Sequence, residues 1–150
     1  MSKIKFIAWC IIFFLFSCLD IVTTYIAMRN MSSSEMKERE LNPIFGKIIT
    51  KKSLVWLIRL SSTGLVIFIL AFQYFFRDQY LALFYIAAIS IAIILVTIQN
   101  TYAIWAFRNK HLSLGRFLID KLHINRIAAY FILGGILIGL GFIIASLVYL

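Results

Sequence analysis

Proline is almost missing from this chain: one occurs in 150 residues, and glycine contributes only seven. That scarcity excludes a low-complexity chain. No segment recurs at a period of roughly 20–50 residues, so a repeat architecture is excluded as well. Ser-His-Asp arrangements, paired catalytic carboxylates and phosphate-binding loops are also absent, and no reaction is named by the order of residues. The two histidines, His111 and His123, lack metal-ligand spacing and read as solvated loop residues; no metal and no cofactor are implied. Cysteine is limited to Cys10 and Cys18. On one helix their sulfurs lie roughly 12 Å apart along the axis, too far for a disulfide. They read as apolar side chains and say nothing about redox compartment.

What the chain has in abundance is apolar surface. Hydrophobic residues make up 63% of it, with a mean hydropathy of +0.96, against about 45–50% apolar in a soluble domain. A soluble fold of this length could not hide such an excess, which points to lipid as the solvent. The net charge of +9 would suggest nucleic acid in a soluble protein. Here the Lys and Arg residues flank apolar runs without any RNA- or DNA-binding motif, so the pattern excludes nucleic acid and implies anionic lipid headgroups as the partner.

Four apolar runs, at about 6–28, 53–76, 80–107 and 127–150, each exceed the roughly 20 residues needed to cross a bilayer. They must be helices, because lipid cannot satisfy an open backbone. Residues 1–150 therefore read as one polytopic domain, an all-α integral membrane four-helix bundle. Arg77-Asp78-Gln79 makes a tight connection between the second and third spans. Lys3 and Lys5 before the first run resemble a signal peptide, and Leu15-Phe16-Ser17-Cys18 resembles a lipoprotein cleavage site. The run continues to Met28, however, so it is read as a retained span.

Basic residues set the expected topology. Arg29, Lys37, Arg39, Lys47, Lys51 and Lys52 lie in the first long connection, and Arg108, Lys110, Arg116, Lys121 and Arg126 in the second. Only Lys3, Lys5 and Arg77 lie on the other side. This asymmetry predicts a multi-pass cell-membrane protein with both long loops cytoplasmic and both termini outside. Aromatic residues at the span ends agree: Trp9, Tyr74, Tyr80 and Tyr149 outside, and Tyr25, Trp56, Trp105 and Tyr130 inside.

Each long loop holds a short amphipathic stretch. Asn42 with Pro43 can start one helix, with Ile44, Phe45, Ile48 and Ile49 on one face. Leu114, Phe117, Leu118 and Leu122 form the apolar face of another. Both read as interfacial helices lying in the headgroups, with a cytoplasmic cap packed on the spans as the alternative.

The residues that could carry chemistry are the polar ones inside the spans. A carboxylate there costs about 2.5–3.5 kcal/mol on insertion scales, so Asp20 requires a partner or a purpose. Thr23 and Thr24, three and four residues on, share its face, and Ser17 extends that face by a turn. Arg59 is the second intramembrane charge, with Ser62 and Thr63 on its face. It lies roughly 9 Å from the loop end of its span and Asp20 roughly 12 Å from the loop end of its own. Gln99, Asn100 and Thr101 reach a similar depth on the third span. Glu40 and Asn42, just outside, could close over the cluster. The candidate ligand or ion residues are thus Asp20, Thr23, Thr24, Glu40, Asn42, Arg59, Gln99 and Asn100. Structural glue explains the same pattern, since membrane helices assemble through hydrogen-bonded polar residues and ion pairs; the residues support the two readings equally. In the fourth span, Gly135-x-x-x-Gly139 is a close-packing motif, for contacts within the chain or with a second copy.

Asp20-Ile21-Val22-Thr23-Thr24 followed by Glu40-Leu41-Asn42-Pro43 resembles an uncharacterised family of small multi-span prokaryotic membrane proteins, a domain of unknown function. The resemblance covers the first two spans and their connection. This chain departs from the family's shorter loop, which carries a Gly, in the segment Arg29–Lys37. The resemblance implies where the site lies and adds no chemistry. The leading expectation is a non-enzymatic accessory or binding protein with a cytoplasm-facing polar site, partnered by another protein or by its own copies. The alternatives are an ion- or proton-coupled transporter using Asp20 and an intramembrane enzyme, for which no nucleophile or metal set is found.

Overall fold

The apolar runs become long helices because each buries its own backbone groups along its full length. The computed structural model describes residues 2–28, 52–109 and 113–149. Among them are five helices and no strand: α1 (Ser2–Met28), α2 (Lys52–Phe76), α3 (Gln79–Arg108), α4 (Leu114–Asp120) and α5 (Arg126–Tyr149). Four are long and apolar enough to cross a membrane, over Lys3–Ile26, Leu54–Phe76, Gln79–Ala106 and Arg126–Tyr149. These spans fall within a few residues of the boundaries expected from hydropathy.

Local chemistry sets the breaks. At the α2–α3 corner, Arg77 and Asp78 both donate their backbone N–H to the Gln73 carbonyl, closing α2. Asp78 then starts α3, its Oδ1 accepting the Leu81 N–H at 2.9 Å, which satisfies one of the orphan donors of the first turn. Ser113 does the same for α4, accepting from the Arg116 N–H. After α4 the chain reverses at His123, whose φ of +53° is left-handed. The Ile124 N–H then closes back on the Leu118 carbonyl at 3.0 Å. Asn125 caps α5 through the Ile127 N–H at 2.8 Å. His123 thus serves the turn, as a loop residue. His111 lies outside the described residues.

Successive long helices run antiparallel, and α3 is the one that α1, α2 and α5 all touch. Its small buried residues, among them Ala82, Ala87, Ala88, Ser90 and Ala92, let neighbouring backbones approach on several sides. On one side sits the stripe Phe6, Phe13, Ser17, Asp20 and Ile21 of α1; on another sits the stripe Ala129, Leu133, Gly141 and Ala145 of α5. The contact between α1 and α2 is narrower.

Two expectations shift here. Gly135 and Gly139 do not make the close approach within the chain: a Cβ at either would meet nothing within 4 Å. Gly141 makes it instead, where a Cβ would lie 2.6 Å from the Ala88 carbonyl oxygen and 3.0 Å from Ala92 Cβ. The reason is rotational. Gly139 points about 160° away from Gly141 around the helix, and Gly135 about 120° away. Tyr74 does not sit in an outer aromatic belt either. It is 1% exposed, stacked on Phe6 with ring centroids 4.4 Å apart, because it continues the inward stripe of Leu70 one turn on. Trp9, Tyr80 and Tyr149 do cluster at that end. Trp9 Nε1 donates to the Tyr149 hydroxyl at 2.6 Å, and the Tyr80 hydroxyl donates to the Tyr149 carbonyl.

Candidate functional site

At the other end of α1, α2 and α3, three polar side chains from three helices meet. Asp20 comes from α1, Arg59 from α2 and Asn100 from α3. Each stands seven or eight residues inside its helix end, about 10–12 Å along the axis, which is why they share one level. Arg59 Nη1 donates to Asp20 Oδ2 at 2.7 Å. Asn100 Nδ2 donates to Asp20 Oδ1 at 2.5 Å. Each carboxylate oxygen therefore has its own donor, and the Asp20 side chain is only 10% exposed. This is the arrangement a buried charge requires: an opposite charge and a hydrogen bond for each oxygen.

The hydroxyls divide into two groups. Thr23 and Thr24 both donate to the Asp20 backbone carbonyl, at 2.9 and 2.8 Å. Thr63 donates to the Arg59 carbonyl at 3.0 Å and Ser62 to the Ile58 carbonyl at 2.8 Å. These bonds return each donor to its own helix, as Ser and Thr do within apolar helices. Thr97, buried beside the triad, donates to the Ile93 carbonyl at 2.8 Å, with the Phe16 carbonyl of α1 at 3.5 Å. Ser17 behaves differently. It is 6% exposed, yet its hydroxyl makes no hydrogen bond among the described residues. No fully enclosed side-chain oxygen or nitrogen among the described residues lacks a partner, so the Ser17 Oγ keeps access to open space.

That space is a half-open cleft of about 200 Å³ between α1 and α2. Ser17, Asp20, Arg59, Ser62 and Thr63 supply its polar wall, and Ile21 and Ile93 its apolar one. Of the residues singled out from sequence, the structure brings together Asp20, Arg59 and Asn100, with Thr23 and Thr24 behind the carboxylate. Gln99 stays out, because it points about 100° away from Asn100 around α3. Glu40 and Asn42 lie outside the described residues. Sequence reasoning missed Ser90, fully buried, which donates to the Ile86 carbonyl at 2.6 Å with the Trp9 carbonyl of α1 at 3.2 Å. A lone hydroxyl in the most apolar stretch of α3 was the available signal.

The arrangement can hold a guest against a neutralised ion pair. Among the described residues no three of His, Cys, Asp and Glu gather as metal ligands. Comparison of the chain with protein-family models, with curated proteins and with solved structures finds no match in any of the three.

Proposed function

We propose that this chain is a multi-pass membrane protein whose four spans form a bundle around α3 and whose polar site binds a small molecule or partner without transforming it. The carrying observation is the cleft of about 200 Å³ beside the satisfied Asp20–Arg59–Asn100 triad. A triad used only as glue has no need of an adjoining space with an unbonded Ser17 hydroxyl. The site lies toward the helix ends that carry the Lys- and Arg-rich connections, so the charge rule puts it on the cytoplasmic side with both termini outside. α4 lies in the headgroups as an interfacial helix. In support, its apolar side chains Leu114 and Phe117 are 46% and 43% exposed, so they are not covered by the spans. The basic residues Arg116 and Lys121 suit anionic lipid at that level.

A transporter using Asp20 is the second reading, favoured by the open space beside a buried carboxylate. It requires Asp20 to let go of Arg59 in each cycle, whereas binding leaves the pair intact. The test is purification of the wild type and of a Ser17→Leu/Ser62→Leu double variant, whose larger side chains fill the cleft and leave the ion pair in place, from native membranes, with mass spectrometry of co-purifying lipids, small molecules and proteins. A species that accompanies the wild type and is absent from the folded double variant is expected. Identical profiles would overturn the binding reading.

A further inference from the structure

The walls of the α1–α2 cleft specify more than that something binds. Ser62 and Thr63 spend their O–H donors on the Ile58 and Arg59 carbonyls, so toward the cleft they present only oxygen lone pairs. Ser17 is the reverse case: its O–H has no acceptor among the described residues, and it lines the cleft while 6% exposed. A guest that matches this wall must therefore donate to one oxygen and accept from another, which is the hydrogen-bonding pattern of an alcohol. The charges in the wall cancel, since Asp20 and Arg59 are paired at 2.7 Å. An ionic guest would have to compete with that pair inside a low-dielectric layer, whereas an uncharged guest leaves it untouched.

The exposed edge of the cleft wall is Ser62. It stands ten residues into α2, about 15 Å along its axis, close to the midplane of a hydrocarbon core about 30 Å thick. Its same-face neighbours Ile58 and Leu65 are also exposed, at 37% and 58%. Exposed apolar side chains thus flank Ser62 on its own helix, one turn before and one turn after it, as on a lipid-facing surface. The volume of about 200 Å³ is that of roughly seven water molecules in the liquid, enough for a glycerol-sized head with its chains left outside.

Resting on the binding reading above, we infer that the Ser17–Ser62–Thr63 cleft takes the free hydroxyl of an uncharged lipid, such as a diacylglycerol or long-chain alcohol, entering sideways from the bilayer. The test uses the detergent-purified full chain and native mass spectrometry, titrating diolein, triolein, dioleoylphosphatidic acid and free glycerol. Saturable binding of one diolein per chain is expected, with no comparable binding of triolein, which lacks a hydroxyl, or of the anionic lipid. Glycerol at equal concentration should not displace diolein. Ser17→Ala should weaken diolein binding about two- to tenfold, the worth of one neutral hydrogen bond. Ser146→Ala, whose hydroxyl bonds the Phe142 carbonyl on α5, should leave it unchanged. Equal binding of triolein, tighter binding of phosphatidic acid, displacement by glycerol or an indifferent Ser17→Ala would each overturn the assignment. The lipid panel on the wild type decides the matter even where a variant fails to fold. If diolein fails while the native-membrane comparison still shows a species lost from the double variant, only the ligand class falls and the binding site stands.

Discussion

The Arg59 guanidinium and the Asp20 carboxylate meet across the α1–α2 contact with Nη1 and Oδ2 2.7 Å apart, among the apolar side chains of two spans. Their partnership joins residues 39 positions apart in the chain and ties together the narrower of the helix contacts around the site. Removing Arg59 takes the counter-charge from a carboxylate that is only 10% exposed among apolar side chains, and removing Asp20 takes from Arg59 its 2.7 Å carboxylate partner. Such losses typically amount to about 3–5 kcal/mol, more than a surface ion pair contributes.

Asp20→Asn and Arg59→Gln are therefore each expected to destabilise the protein by about 3–5 kcal/mol. The double variant should fall well short of their sum, because no lone charge remains. Thermal or denaturant unfolding of all four proteins in one detergent reads the coupling. Additive single effects would show that the pair does not interact.

Asn100 supplies the second donor to Asp20, and its neighbour Gln99 supplies none. Replacing Asn100 by Leu should cost about 1.5–3 kcal/mol, the range for a hydrogen bond to a charged group. Gln99→Leu should change stability by less than that. Equal losses in the same unfolding assay would mean that the third helix does not contribute its amide to the site.

Gly141 should tolerate no enlargement. A Cβ there lies 2.6 Å from a backbone oxygen of α3, so Gly141→Ala must push two helices apart, a strain of about 1–3 kcal/mol. Gly135→Leu and Gly139→Leu meet open space and should leave monomer stability nearly unchanged. Should size analysis show dissociation in the Gly135 or Gly139 variants alone, that face holds a second copy of the chain.

Topology is accessible to labelling. Cysteines placed singly at Ser113 and at Gln79, in a chain lacking Cys10 and Cys18, should behave oppositely toward a membrane-impermeant thiol reagent. In intact cells Gln79→Cys is expected to label and Ser113→Cys to resist until lysis. The reverse pattern would invert the orientation and place the site on the outer side.

Much of this protein is legible in its amino-acid order, and for one physical reason: runs this long and apolar leave few options. Four uninterrupted apolar runs are helices over nearly their whole length, the form in which an apolar segment satisfies its own backbone. Charges are so expensive there that Asp20 and Arg59 announce each other, and counting residues from each helix end matches their depths. Rotation about the helix axis and the choice of neighbour are different in kind, because they depend on which side chains interlock in three dimensions. Two adjacent amides look alike along the chain, yet packing turns Asn100 to Asp20 and leaves Gln99 aside. Four glycines of one span look alike, yet only Gly141 lies against Ala88 and Ala92. Tyr74 near a span end reads as a belt residue, until the Leu70 stripe carries it inward onto Phe6. Residue order alone thus sets which groups are costly to bury and how deep they lie. Which faces meet, and hence the cleft beside Ser17, comes from close packing of α1 and α2 around the small residues of α3, which no one-dimensional pattern contains.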